Sequence, residues 1–211
     1  AEIVHAFFRD FFRDDNPGGT ISERSFLAAV SGGADSVFLL VMLHRILPAL
    51  GGSLSVVTVN HRIRSEALSG GDADFVENLC ASLDPPIPCY RIDLPPGSVD
   101  ELAAERGRGV EEAARFVRYR SFLTLSREHK IDWICTGHTR DDQLETLLMR
   151  TIQGGGTGSL RGIASRTNNL VRPLLNVSRK SLEDWLRNNG FSWREDHTNR
   201  ETRFFRNRIR S

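Results

Sequence analysis

Ser31, Gly32, Gly33, Ala34, Asp35 and Ser36 stand in a row and hold a dense set of groups able to grip an anion. They follow the apolar run 26–30 and lead into the apolar run 37–43, so the string reads as strand, tight loop and helix. Two glycines let the backbone come close to a bound anion, N–H groups at the helix start point outward, and Ser31 and Ser36 add hydroxyl donors. That is the chemistry of a phosphate cradle. It differs from the common nucleotide loop because no Gly-Lys-Ser/Thr follows, and from the dinucleotide fingerprint because the third glycine is missing. Asp35 could cap the helix or, beside a polyphosphate, hold Mg²⁺, which takes one or two carboxylates and completes its shell with phosphate oxygens and water. The metal role is preferred.

Three further groups could join that chemistry. Asn60, His61 and Arg62 follow the β-branched run 54–59. A histidine there is as often satisfied by a backbone carbonyl as it is functional. Gly137 and His138 follow the run 131–136 and precede Asp141 and Asp142. Gly137 permits close backbone approach, which favours a role for His138. Adjacent helical positions diverge by about 100°, so only one aspartate can face a cleft; Asp142, sharing its face with Glu145 and Thr146, is the better candidate. Between these groups, Glu111, Arg115, Arg118 and Phe122 fall on one face of a helix, with Val110, Ala113, Val117 and Thr124 opposite as the expected core. The first face is either solvated or a pair of arginine forks suited to phosphate and to charge developing in phosphoryl transfer.

The elements that must position these groups alternate. A first helix carries Ile3, Val4, Phe7, Phe8, Phe11 and Phe12 on one apolar stripe, expected to pack on the core, and stops near Asn16 to Gly19. After the opening strand come a helix to about 47, a strand over 54–59, a helix over 69–83, and a strand over 87–92 that Pro86 and Pro88 confine to an edge or a late start. The span 95–109, rich in glycine and poor in periodicity, reads as a mobile loop. A long helix over 110–129, a strand over 131–136, a helix over 141–150, a glycine run over 154–158, a last strand over 170–175 and a helix over 178–189 with Gly190 as its stop complete the order. Alternation of this kind predicts an α/β fold with a doubly wound, mostly parallel sheet, whose ligands sit at the carboxyl ends of the strands.

Composition narrows the class. The chain has 211 residues, enough for one sizeable domain, and its net charge of +1 does not by itself announce a nucleic-acid binder. Arginines recur from Arg161 onward, including Arg166, Arg172, Arg179, Arg187, Arg194, Arg200, Arg203, Arg206, Arg208 and Arg210, which reads either as a polyanion-binding end or as a solvated basic face. Cys80, Cys89 and Cys135 form no Cys-x-x-Cys and no zinc spacing. No apolar run approaches membrane-spanning length and no leader is visible, so a cytoplasmic location away from membranes is the expectation.

The motifs together resemble a known family. The 31–36 loop resembles the PP-loop of the N-type ATP pyrophosphatases, with their adenine nucleotide alpha hydrolase-like fold. Within that superfamily the similarity to the tRNA(Ile)-lysidine synthases runs almost end to end. Val59-Asn60-His61-Arg62-Ile63-Arg64, Ala114-Arg115-Phe116-Val117-Arg118-Tyr119 and Thr136-Gly137-His138-Thr139-Arg140-Asp141-Asp142-Gln143-Leu144-Glu145-Thr146 look like three of its segments. Arg172-Pro173-Leu174-Leu175 and the stretch from Glu195-Asp196 through Thr198-Asn199 to Arg206-Asn207-Arg208-Ile209-Arg210 complete the order. The glycine-rich element departs from the family, with Gln153-Gly154 and Ser159-Leu160 where Arg-Gly and Gly-Leu are usual.

The resemblance implies a ligase that adenylates the wobble cytidine of a CAU-anticodon isoleucine tRNA and lets the amine of free L-lysine displace AMP. It implies ATP and Mg²⁺ as cofactors, with ATP held by Ser31, Gly32, Gly33, Ala34, Asp35, Ser36, Asn60, His61 and Gly137. Asp35 and Asp142 would take Mg²⁺, Arg115 and Arg118 would stabilise charge, and His138 is a candidate base. It also implies a synthetase domain over 1–200, the start of a linker helix over 201–211 leading to further domains, and room for a homodimer. The competing readings are a tRNA thiolase of the same superfamily, which would bring cysteines near its loop, and an ATP-binding module without catalysis.

Overall fold

The computed structural model describes residues 4, 6–8, 21–61, 66–107, 109–152 and 162–195, with the backbone alone over 66–70. Its elements run β1 (Ser25–Ala29), α1 (Ala34–Ile46), a 3₁₀ turn (Pro48–Leu50), β2 (Ser53–Asn60), α2 (Glu66–Ser82), β3 (Cys89–Asp93), α3 (Ser98–Arg106), α4 (Val110–Glu128), β4 (Trp133–Thr136), α5 (Arg140–Ile152), β5 (Arg166–Thr167), β6 (Leu170–Val171) and α6 (Arg179–Asn188). The sheet order is β3-β2-β1-β4-β6-β5, parallel throughout except for the β5–β6 pair. The chain winds outward from β1 to β3, then crosses to the other side of β1 to lay down β4. The strand order therefore reverses between β1 and β4, and their carboxyl ends flank a crevice.

Alternation along the central strands divides the interior between the two faces of the sheet. Phe26, Ala28, Val56 and Cys135 belong to the larger core with α1, α2 and α6, whereas Leu27, Val57 and Ile134 pack with Phe122 and Leu125 of α4. This is the doubly wound arrangement expected of strands buried on both faces. In α1, every residue from Ser36 to Leu43 is buried, so the middle of the helix behind the glycine loop has no solvated face. Phe38 meets Trp185 of α6 edge to face, at 5.4 Å between ring centroids, which fixes α6 against α1.

Several expectations need correction. The span 95–109 contains a helix, α3, whose αL residues Gly97 and Gly107 mark its ends; only Val99 and Ala103 are buried, too few to give a clear period. The expected core face of α4 holds only in part: Ala113 is buried and Val117 half-buried, but Val110 and Thr124 are exposed, and Phe122, from the expected polar face, is buried. The helix buries different faces along its length, Ala113 and Ala114 against Val99 and Ala103 of α3, and Phe122 and Leu125 under the sheet. The last strand is two residues long, because Pro173 has no N–H to continue the ladder. The strand near 87–92 begins at Cys89 and lies on the sheet edge, as its prolines require. Val4 and Phe8 sit in the main core. Ile3, Phe11, Phe12, the stop near 16–19, Arg62, the glycine run at 154–158 and its flanks, Asp196 and the segment from 197 to 211 lie outside the described residues.

Candidate functional site

A cavity of about 540 Å³ opens at the carboxyl ends of β1 and β4. Its walls include Ser31, Gly33, Ala34, Asp35, Ser36, His61, Arg115, Arg118, Gly137, His138 and Asp142. Two backbone positions make this approach feasible. Gly32 has φ +88°, a region open to glycine at little steric cost. At Gly137 a Cβ would stand 3.1 Å from the carbonyl carbon and oxygen of Asp35 and 3.2 Å from the nitrogen of Ser36, so the two loops touch through their backbones.

Within the first loop the serines differ. Ser36 is buried; its hydroxyl donates to the Gly33 carbonyl at 2.9 Å and accepts the Ser31 N–H at 3.1 Å, so it stitches the turn closed. Ser31 is exposed and faces the cavity. Gly33 is the residue preceding the helix and makes no side-chain cap, and Asp35 spends its carboxylate on Arg179. Both oxygens of Asp35 are engaged: Arg179 Nε lies 3.2 Å from Oδ1 and 3.1 Å from Oδ2, and Nη2 is 2.7 Å from Oδ2. Nη2 also reaches Asp142 Oδ1 at 3.5 Å. The other oxygen of Asp142 accepts the Thr139 N–H at 2.8 Å and its hydroxyl at 2.9 Å, fixing the first turn of α5. Asp141 points elsewhere, accepting the backbone N–H of Arg179 at 2.8 Å and so capping α6. First turns of α1, α5 and α6 thus meet at one point.

The carboxylates differ electrostatically. Burial pushes Asp35 above its ordinary value despite the hydrogen bonds and charge of Arg179. For Asp142 burial acts in the same direction but is outweighed by the Thr139 N–H, the Arg179 charge and the Thr139 hydroxyl, and the net shift is downward. Burial alone would lower Arg179, but its hydrogen bonds to Asp35 and the charges of Asp35, Asp142 and Asp141 drive it upward.

The opposite wall comes from α4 and the end of β2. Arg118 Nε donates to His61 Nε2 at 3.2 Å, and Arg115 lies 5.0 Å over the Tyr119 ring. Burial and the Arg118 charge depress His61 to about 4, so its ring is neutral and its proton sits on Nδ1. That Nδ1 is buried with no partner among the described residues. His138 Nδ1 is 3.0 Å from Thr136 Oγ1.

Two expected residues are not on the cavity wall. Asn60 is buried with its amide donating to Asp93 Oδ1 at 2.8 Å, tying β2 to β3, because the last residue of a strand alternates to the face opposite its successor. Gly32 turns its carbonyl to the Arg194 N–H at 2.9 Å. Of the described arginines toward the carboxyl end, Arg179, Arg187 and Arg194 are ion-paired, Arg172 is buried and Arg166 lies over the Trp133 ring. Sequence reasoning missed Arg179, Glu183 and Trp193 as wall residues. One signal was available for Arg179: a helix whose first turn carries Arg179 and Lys180 and no acid runs against its own dipole.

The chain is similar to known proteins along most of its length. The model of the PP-loop domain matches residues 3–211. A tRNA(Ile)-lysidine synthase of Treponema pallidum is 46% identical over 184 residues, covering 87% of this chain and 38% of that protein. Those of Treponema denticola and Nitratidesulfovibrio vulgaris are 39% and 37% identical, with 41% and 55% of their length covered. The chain therefore spans about two-fifths to just over half of these curated relatives. Among solved structures, the U34-tRNA thiolase NcsA of Methanococcus maripaludis, described with its [4Fe-4S] cluster, superposes with a TM-score of 0.67 at 18% identity, covering 92% of this chain and 66% of that one. That is a likeness of fold.

Proposed function

The chain belongs to the PP-loop domain family, and from that premise we propose that it adenylates the wobble cytidine of a CAU-anticodon isoleucine tRNA at O2 and joins free L-lysine to C2, releasing AMP and pyrophosphate. The observation that carries the reading is the identity to curated lysidine synthases over most of this chain, supported by a cavity in which the loop, two aspartates and two arginines converge. Ser31, Gly33 and Ala34 and the amide end of α1 would hold the departing pyrophosphate. Asp35 and Asp142 fit Mg²⁺, since two carboxylates already converge on one cation and leave the remaining positions to phosphate oxygens and water. The ion would neutralise charge on the phosphates. Arg115 and Arg118 would bind the α-phosphate and nucleobase oxygen as charge develops there. His138 would take the proton from the lysine amine. A cytoplasmic location follows from the substrate class, and among the described residues no helix is long and apolar enough to cross a membrane.

The thiolase alternative gains little from the site. Cys80 and Cys135 are buried, Cys89 is half-buried, and none of the three lines the cavity. The deciding experiment incubates the full-length protein with ATP, Mg²⁺, labelled lysine and unmodified CAU-anticodon isoleucine tRNA. Label in the tRNA is expected. Sulfur transfer without label would overturn the reading, and retention of ATP without pyrophosphate release would reduce the chain to a binding module.

A further inference from the structure

Arg179 is the first residue of α6, where the positive end of the helix disfavours a cation. Its place is explained by what it reaches: a bidentate contact with Asp35 from α1 and a longer one with Asp142 from α5. All three side chains line the cavity, so this ion pair is built into the site itself. A guanidinium fork matches phosphate oxygens as well as it matches carboxylates. The cavity beside it, about 540 Å³, leaves room for the group to turn.

We propose that Arg179 is the resident cation of the Asp35–Asp142 pair, that a divalent cation arriving with the nucleotide displaces it, and that the released guanidinium then turns onto the nucleotide phosphates. The inference rests on the reading of these aspartates as metal-binding carboxylates. Two consequences follow. A divalent ion binds weakly alone, because it must break the Asp35–Arg179 contact without offering the guanidinium a new partner. With nucleotide present the partner exists, so metal and nucleotide each strengthen the binding of the other by the same factor.

Mn²⁺ serves as the probe, with its binding to full-length protein followed by electron paramagnetic resonance. In the wild type a non-hydrolysable ATP analogue should tighten Mn²⁺ binding about tenfold or more. Arg179→Gln should bind Mn²⁺ about tenfold tighter without nucleotide and lose most of that coupling, with Arg179→Lys between the two. Unchanged or weaker Mn²⁺ binding by a folded Arg179→Gln protein, or no Mn²⁺ binding by the wild type even with the analogue, would overturn the proposal. Should Arg179→Gln fail to fold, ¹⁵N-arginine spectra of the wild type decide it: the Arg179 Nε–H resonance must move when Mg²⁺ joins the analogue, and a fixed resonance refutes the exchange. Because no tRNA or lysine is used, loss of lysine incorporation with the coupling intact would count against the proposed reaction alone.

Discussion

The two walls of the cavity treat charge in opposite ways. On the wall formed by the first turns of α1, α5 and α6, carboxylates and a guanidinium neutralise one another at 2.7–3.5 Å. On the α4 wall the arginines lean on uncharged partners, Arg118 on a neutral imidazole and Arg115 on a phenol ring. The first wall can admit a new cation only by exchange. The second presents two arginines to the cavity, with Arg118 already partly desolvated. Under the proposed function this difference would divide the labour of a metal-assisted nucleotidyl transfer, with the metal and leaving group on one side and the developing charge on the other.

The strongest way to break this comparison is Asp35→Ala, which should lower tRNA-dependent pyrophosphate release by about 10³-fold or more while the circular dichroism spectrum is kept. Turnover near the wild-type rate would leave Asp35 as no more than a partner for Arg179. On the other wall, Arg118→Ala should cost about 10²-fold in kcat, and Arg118→Lys should recover little, since a point charge cannot reproduce the fork held by His61. Equal activity of the lysine variant would show that charge alone matters there.

The third test addresses how the walls are held. Gly137→Ala would press a methyl group to 3.1 Å from the Asp35 backbone, and urea unfolding should report a loss of about 1–3 kcal/mol. The fourth test concerns His61 and the pH profile of stability. Its folded value lies near 4 and its ordinary value at 6.5, so the unfolded chain takes up a proton that the folded chain refuses between those limits. Stability should be fully present above about 6.5 and fall as pH is lowered toward 4, and His61→Gln should flatten that part of the profile. A profile unchanged by the substitution would place the titration elsewhere.

Much of this was legible in the sequence where the signal is local. The glycine loop, the aspartate at position 35 and the Gly137-His138 turn each follow a short apolar strand, and the sheet brings them together because parallel strands end on the same side. Asp142 was separable from Asp141 by helical geometry alone. The α3 helix was hidden because two buried residues give no period, and the core face of α4 was legible only at Ala113 because its start packs on α3 and its later turns under the sheet. Arg179 was hidden for a deeper reason. It is 144 positions from Asp35, and its role depends on where the packing of Trp185 on Phe38 sets α6 against α1.

The burial of α1 from Ser36 to Leu43 has a consequence for time as well as for place. Its amide hydrogens can exchange with solvent only through openings that expose most of the main core, so they should be among the slowest in the molecule. The loop at residues 31–36 is joined directly to that slow segment, and Ser36 binds its two ends together. The cradle is therefore expected to keep one shape while a phosphate enters and leaves it.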